Sequence, residues 1–172
     1  MKNKGALLFL SGRDFNETEF KTVKSSLLQE EIRIFIASDS ADACVGESGL
    51  KVQPDVKLFN VHPSNYGAFI IIGGKGINTY RSNPVLHKAA AEFSRQKKII
   101  AAICGAPAIL AEAGILKGVS ATCHKDYKDS LKMEGASVQE APVVVSQNII
   151  TASDENAAPL FAEMIIRALK NI

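Results

Sequence analysis

Short, almost unbroken apolar runs alternate with amphipathic stretches along this chain, and few folds accept that pattern. Residues 5–10 (GALLFL), 32–37 (IRIFIA), 68–72 (AFIII) and 99–103 (IIAAI) lack the period-two alternation of a strand with one wet face. Such runs are expected of strands buried on both faces. Between them, residues 17–29 place Phe20, Val23, Leu27 and Leu28 on one side of a predicted helix. Pro84 suits the first turn of a second helix running to about Lys97. Residues 105–113 form a third, closed by Gly114. The last spans residues 155–169, with Leu160, Met164, Ile165 and Leu169 as its apolar stripe. Strands and helices in this order make βαβ units on a mostly parallel sheet.

The remaining segments are shorter. Gly46, Gly49 and Pro54 punctuate residues 39–59, which predicts a hairpin outside the main sheet. Residues 120–123 read as a short strand. Residues 143–145 and 148–151, separated by Ser146-Gln147, read as a hairpin. No repeat, low-complexity tract or linker interrupts the 172 residues, so one domain is expected over 1–172.

Composition narrows the function classes. With 47% hydrophobic and 22% charged residues the chain is an ordinary globular sequence. Its formal charge of +2 is spread along the chain, which gives no footprint for nucleic acid. No run reaches the roughly 18 apolar residues of a membrane span. The opening Met1-Lys2-Asn3-Lys4 is basic, but the apolar stretch after it is too short for a secretory signal. Three cysteines, Cys44, Cys104 and Cys123, with no export signal, predict reduced thiols in a cytoplasmic protein.

Three strand ends carry unusual residues, and ligands of open α/β sheets sit at such ends. The first is Ala102-Ile103-Cys104-Gly105-Ala106. A nucleophile elbow needs small residues around a reactive group on a sharp strand-to-helix turn, and a following helix N-terminus favours a thiolate. A buried, inert cysteine fits the same five residues. The second is Gly73-Gly74-Lys75-Gly76. Its N–H groups suit an oxyanion hole, a phosphate, or nothing beyond a tight turn; no P-loop or dinucleotide fingerprint is present. The third is the acidic segment after the first strand, with Glu17 and Glu19. Both suit the start of a helix, yet one carboxyl turned inward would reach a neighbouring thiol.

Taken together, the AAICGAP block, the IIGGKG block and the acidic first loop resemble the ThiJ/PfpI superfamily. The likeness runs from GALLFL to the final helix and is strongest to the branch holding the parkinsonism-associated deglycase (DJ-one). The resemblance implies a class I glutamine amidotransferase-like fold: a flavodoxin-like three-layer α/β/α sandwich with a mostly parallel central sheet and a nucleophile elbow. It further implies Cys104 as a low-pKa nucleophile, Glu19 as its hydrogen-bonding partner, and Gly74 and Gly105 as the anion pocket, with His124 near the thiol. It implies no metal or organic cofactor, a small carbonyl substrate or a glycated protein as partner, and a homodimer.

Departures from the family qualify these expectations. Gly105 stands where the peptidase-like branch has a histidine, so no adjacent imidazole serves as base. Asn16 stands where relatives often carry a second carboxylate. Ser153-Asp154-Glu155-Asn156 replaces an Arg-Gly-Pro type of segment near the pocket. His62 and His87 read as loop and exposed-helix residues. Cys123 and His124 are adjacent and no CxxC or HxxxH spacing occurs, which argues against zinc. The expectation is a cysteine-dependent hydrolase or lyase of the glyoxalase or deglycase kind. The alternative is a redox-sensing stress protein in which Cys104 becomes a sulfinate, and a peptidase is disfavoured. Substitution of Glu19 should then alter thiol chemistry and leave stability almost unchanged.

Overall fold

The computed structural model describes residues 5–172; the basic segment Met1-Lys2-Asn3-Lys4, read above as part of no secretory signal, lies outside them. Seven strands form the central sheet: β1 (Ala6–Phe9), β2 (Ile34–Ser38), β3 (Val56–Lys57), β4 (Ala68–Ile71), β5 (Ile99–Ile103), β6 (Val143–Ser146) and β7 (Ile149–Ala152). The helices are α1 (Glu17–Gln29), α2 (Pro84–Arg95), α3 (Pro107–Glu112), α4 (Lys128–Met133) and α5 (Ala158–Lys170). The strand order is β6-β7-β5-β4-β1-β2-β3, and only β6 runs antiparallel to its neighbour.

The apolar runs are buried on both faces because successive side chains point to opposite sides of the sheet. Leu7, Phe9, Phe69, Ile71, Ile100 and Ala102 meet Leu86, Ala90 and Phe93 of α2 and Ile109 of α3. Ala6, Leu8, Ile70, Ala101 and Ile103 meet Phe20, Val23 and Leu27 of α1 and Phe161, Ile165 and Leu169 of α5. This is the expected α/β sandwich. None of its described helices is long and apolar enough to cross a membrane.

Four details differ from the sequence reading. Cys44–Gly46 and Lys51–Val52 do form a hairpin outside the main sheet, joined by Arg13–Phe15, but β3 leaves that segment and extends the main sheet. On α5 the buried stripe is Phe161, Ile165 and Leu169, while Leu160 is 40% exposed; the helix is apolar over more than half its girth, so periodicity alone did not identify its inner face. Leu28 of α1 is likewise exposed. The β6–β7 turn is Gln147-Asn148, with Gln147 at φ 55°. Helix α4, and the parallel pairing of Ser120–Ala121 with Ser137–Val138, had no clear sequence signal.

The chain runs outward from β1 to β3, then returns to add β4 and β5 on the other side of β1. The order therefore reverses between β1 and β4, and in such sheets the crevice opens beyond the carboxyl ends at this point. The segment after β1 carries Glu19, the loop after β4 carries Gly73 and Gly74, and the turn after β5 carries Cys104.

Candidate active site

Cys104 is the first residue past β5 and has φ 63°, a left-handed conformation that costs a non-glycine residue about 1–2 kcal/mol. Its backbone is held on both sides. The N–H donates to the Ala152 carbonyl at 3.0 Å, and its carbonyl accepts the His124 N–H at 2.9 Å. Ala102 and Ala106 are fully buried beside it, where larger side chains would crowd the turn. This is the geometry of a nucleophile elbow.

Glu19 is fully buried, and the reason lies in how α1 begins. Asn16 caps the helix, its Oδ1 accepting the Glu19 N–H at 2.9 Å. In a capping box the glutamate three residues on would return the favour by accepting the cap residue's N–H. Here the Asn16 N–H donates instead to the Gly73 carbonyl at 2.9 Å. The Glu19 side chain is thereby free to turn inward, where Oε2 accepts the Gly73 N–H at 2.8 Å. The carboxyl faces the Cys104 side chain closely enough for each group to shift the other's pKa, and Oε1 has no hydrogen-bond partner. Glu17, its neighbour in the first turn, faces the other way: Oε1 accepts the N–H groups of Ser48 at 2.8 Å and Leu50 at 2.9 Å.

Two glycines make this meeting possible. A methyl group on Gly73 would lie 2.7 Å from Cys104 Cβ and 2.8 Å from Glu19 Oε2. Gly74 has φ 116°, and a methyl group there would lie 2.4 Å from the Asn16 nitrogen and 2.5 Å from the Asp14 carbonyl oxygen. The backbone N–H groups of Gly74 and Gly105 are directed at Cys104 and favour its anion. Helix α3 is only six residues long and starts at Pro107, so individual N–H groups, rather than a helix dipole, supply the donors.

Burial pushes Glu19 up to about 8, against the Gly73 N–H, and the negative charges of Glu155 and Glu47 add to the rise. Burial, and then the charge of an ionised Glu19, push the Cys104 thiol up to about 12. Two anions cannot share this space, and at neutral pH Glu19 carries its proton. In that state the repelling charge that raises the thiol is gone, and a neutral carboxyl can donate to a thiolate beside the two backbone donors.

Of the other residues singled out in the sequence, His124 meets the elbow through its backbone, while its ring accepts the Asp126 N–H at 3.4 Å through Nδ1 and meets Tyr127 edge-on. His124 lines a cleft of about 470 Å³ with Thr122, Lys128, Pro142, Ser153 and Asp154. Cys44 and Cys123 are buried, and burial raises both thiols. His62 is exposed, and His87 is half-buried on α2.

Two contributors were absent from the sequence reading, the Ala152 carbonyl and Tyr127; Gly73 and Asn16 were named there, but Gly73 not as the donor to Glu19 and Asn16 not as the cap whose Nδ2 donates to Glu155 at 3.1 Å. The Asn16-x-x-Glu19 spacing was a signal that these two residues act together. Nothing local pointed to Tyr127, whose ring covers Gly105.

Residues 5–168 match the DJ-1/PfpI family. An uncharacterized protein of Methanocaldococcus jannaschii is 32% identical, with 99% of this chain and 84% of that protein aligned. A deglycase of Pyrococcus horikoshii is 30% identical over 92% of this chain and 94% of its own. The crystal structure of a ThiJ/PfpI domain protein from Brachyspira murdochii superposes with a TM-score of 0.97 at 24% identity, covering 100% of this chain and 99% of that one.

Proposed function

The chain belongs to the DJ-1/PfpI family, and from that premise we propose that it is a cofactor-independent cysteine enzyme acting on small reactive carbonyls or the adducts they leave on proteins. One observation carries this reading: a strained cysteine at a strand end receives backbone N–H groups from Gly74 and Gly105 and the carboxyl of a buried glutamic acid. That set offers a nucleophile, donors for a developing oxyanion and a proton carrier. The relatives named as deglycases support the substrate class.

The proposed reaction begins at the thiol. Cys104 sulfur adds to the aldehyde carbon of an α-oxoaldehyde, forming the S–C bond, and the carbonyl π pair moves to oxygen. The thiol proton ends on that oxygen, with Glu19 as the titratable group in contact with sulfur through which it passes. Atoms and charge balance as thiol plus aldehyde giving hemithioacetal. A proton then moves from C1 to C2, so that C1 is oxidised and C2 reduced within one molecule. Water cleaves the resulting thioester, which releases a 2-hydroxy acid and restores the thiol.

Methylglyoxal turnover, followed by lactate formation, tests this. The wild type should convert it, and Cys104→Ser should not. Conversion that persists in Cys104→Ser would refute the assignment. A second reading, a redox sensor, is favoured by the unpartnered Glu19 Oε1, since a neutral carboxyl there would donate to a sulfinate oxygen. Absence of turnover together with Cys104-selective sulfinate formation by peroxide would select it.

A further inference from the structure

Position 105 is glycine for a reason that its own backbone does not supply. A methyl group there would lie 2.7 Å from Tyr127 Cζ, 2.8 Å from Cε2 and 2.9 Å from the phenolic oxygen. The ring is fixed in that place from several directions. Its hydroxyl donates to Asn78 Oδ1 at 2.8 Å. The Arg81 guanidinium lies 6.0 Å from the ring centre, itself paired with Glu112 and donating to Ser130 Oγ at 3.0 Å. His124 packs edge-on at 6.4 Å between centroids.

The loop carrying Tyr127 is anchored on the elbow. The Tyr127 N–H donates to the His124 carbonyl at 2.9 Å, and the His124 N–H donates to that of Cys104 at 2.9 Å. Asn78 belongs to the turn of 3₁₀ helix, Lys75–Tyr80, that follows Gly74. The Tyr127–Asn78 bond therefore ties the loop beyond Gly105 to the loop beyond Gly74, across 49 positions of sequence. These two glycines supply the N–H groups at the sulfur, so the tie spans the rim of the anion pocket.

We propose that Tyr127, clamped by Asn78, is the specificity-determining residue of the Cys104 site: its ring takes the volume of a side chain at position 105 and limits access to small electrophiles. The substrate part rests on the carbonyl reading above, while the steric part concerns the thiol alone. With the ring in this position a side chain at 105, an imidazole of the peptidase kind included, would have to displace it.

The test measures second-order rates of Cys104 modification by iodoacetamide and by N-phenylmaleimide, with the modified peptide identified by mass spectrometry. Phenylglyoxal and methylglyoxal turnover are measured beside them. Tyr127→Ala should raise the N-phenylmaleimide to iodoacetamide ratio by about tenfold or more, the scale on which pocket volume discriminates ligands. Tyr127→Phe keeps the ring and should hold the ratio near the wild-type value. Gly105→Ala should depress activity in the wild-type background and be tolerated beside Tyr127→Ala. An unchanged ratio in folded Tyr127→Ala overturns the proposal. Should that variant not fold, Tyr127→Leu, which lacks the outer part of the ring, is read in the same way. A shifted ratio without any glyoxal turnover would sustain the steric role and remove the carbonyl reading.

Discussion

Removing the charge from position 19 should flatten the dependence of stability on pH. In the folded protein the Glu19 carboxyl is pushed up to about 8 from an ordinary 4.5. Between those values the native chain holds a proton that the unfolded chain has released. Unfolding then loses a proton, and stability falls as pH rises. The stabilisation is fully present below 4.5 and is lost as pH climbs through about 8. At ~1.4 kcal/mol per pH unit, the whole interval is worth on the order of 5 kcal/mol. Glu19→Gln keeps an acceptor for the Gly73 N–H and a donor for sulfur but does not titrate. Urea unfolding of both proteins under reducing conditions should show the wild type losing about 3 kcal/mol relative to Glu19→Gln between about pH 5 and about pH 7.5. Parallel curves for the two proteins would refute the reasoning. The sequence reading expected substitution of an inward Glu19 to change stability little; its complete burial leads instead to the expectation of this pH-dependent difference.

Cys104 should be alkylated by iodoacetamide at lower pH than Cys44 and Cys123, because only it faces donors from Gly74, Gly105 and neutral Glu19; equal reactivity of all three thiols would contradict this. Glu19→Ala, which removes the donor, should move the Cys104 profile upward and leave the other two in place. Gly74→Ala places a methyl group against backbone atoms of Asn16 and Asp14 in a conformation that is essentially glycine-only, and should cost about 2–4 kcal/mol in urea unfolding. The purified protein should not cleave casein, because glycine at 105, with the Tyr127 ring against it, leaves no imidazole next to the nucleophile in sequence; Cys104-dependent proteolysis would count against that account.

Much of the framework was written locally. Unbroken apolar runs mark strands buried on both faces wherever they occur, and α1 spans the residues its periodicity predicted, Glu17–Gln29. The position of Cys104 directly after IIAAI, with small residues around it, was enough to place it at a strand end where ligands bind. Local pattern did less well where one signal fits two outcomes. Helix α5 is apolar on too many sides to show which one faces inward, and Val56–Lys57 is too short for its pairing partner to be read from its own residues.

The chemistry of the site was decided at longer range. Glu17 and Glu19 are equally good first-turn residues by sequence. Which of them turns inward depends on the unsatisfied N–H groups of Gly73, Ser48 and Leu50, which other elements bring to the two sides of α1. The state of the thiol depends on whether that inward carboxyl holds a proton, and burial by β1, β4 and α1 together determines this. In the sequence Gly105 reads as an anion-pocket amide and a missing histidine, but the folded chain also sets a tyrosine ring against it from 22 residues away. Strand and helix identity follow from each segment's own pattern of apolar side chains; the proton, the oxyanion donors and the size of the opening follow from groups that only the tertiary fold brings within a few ångströms.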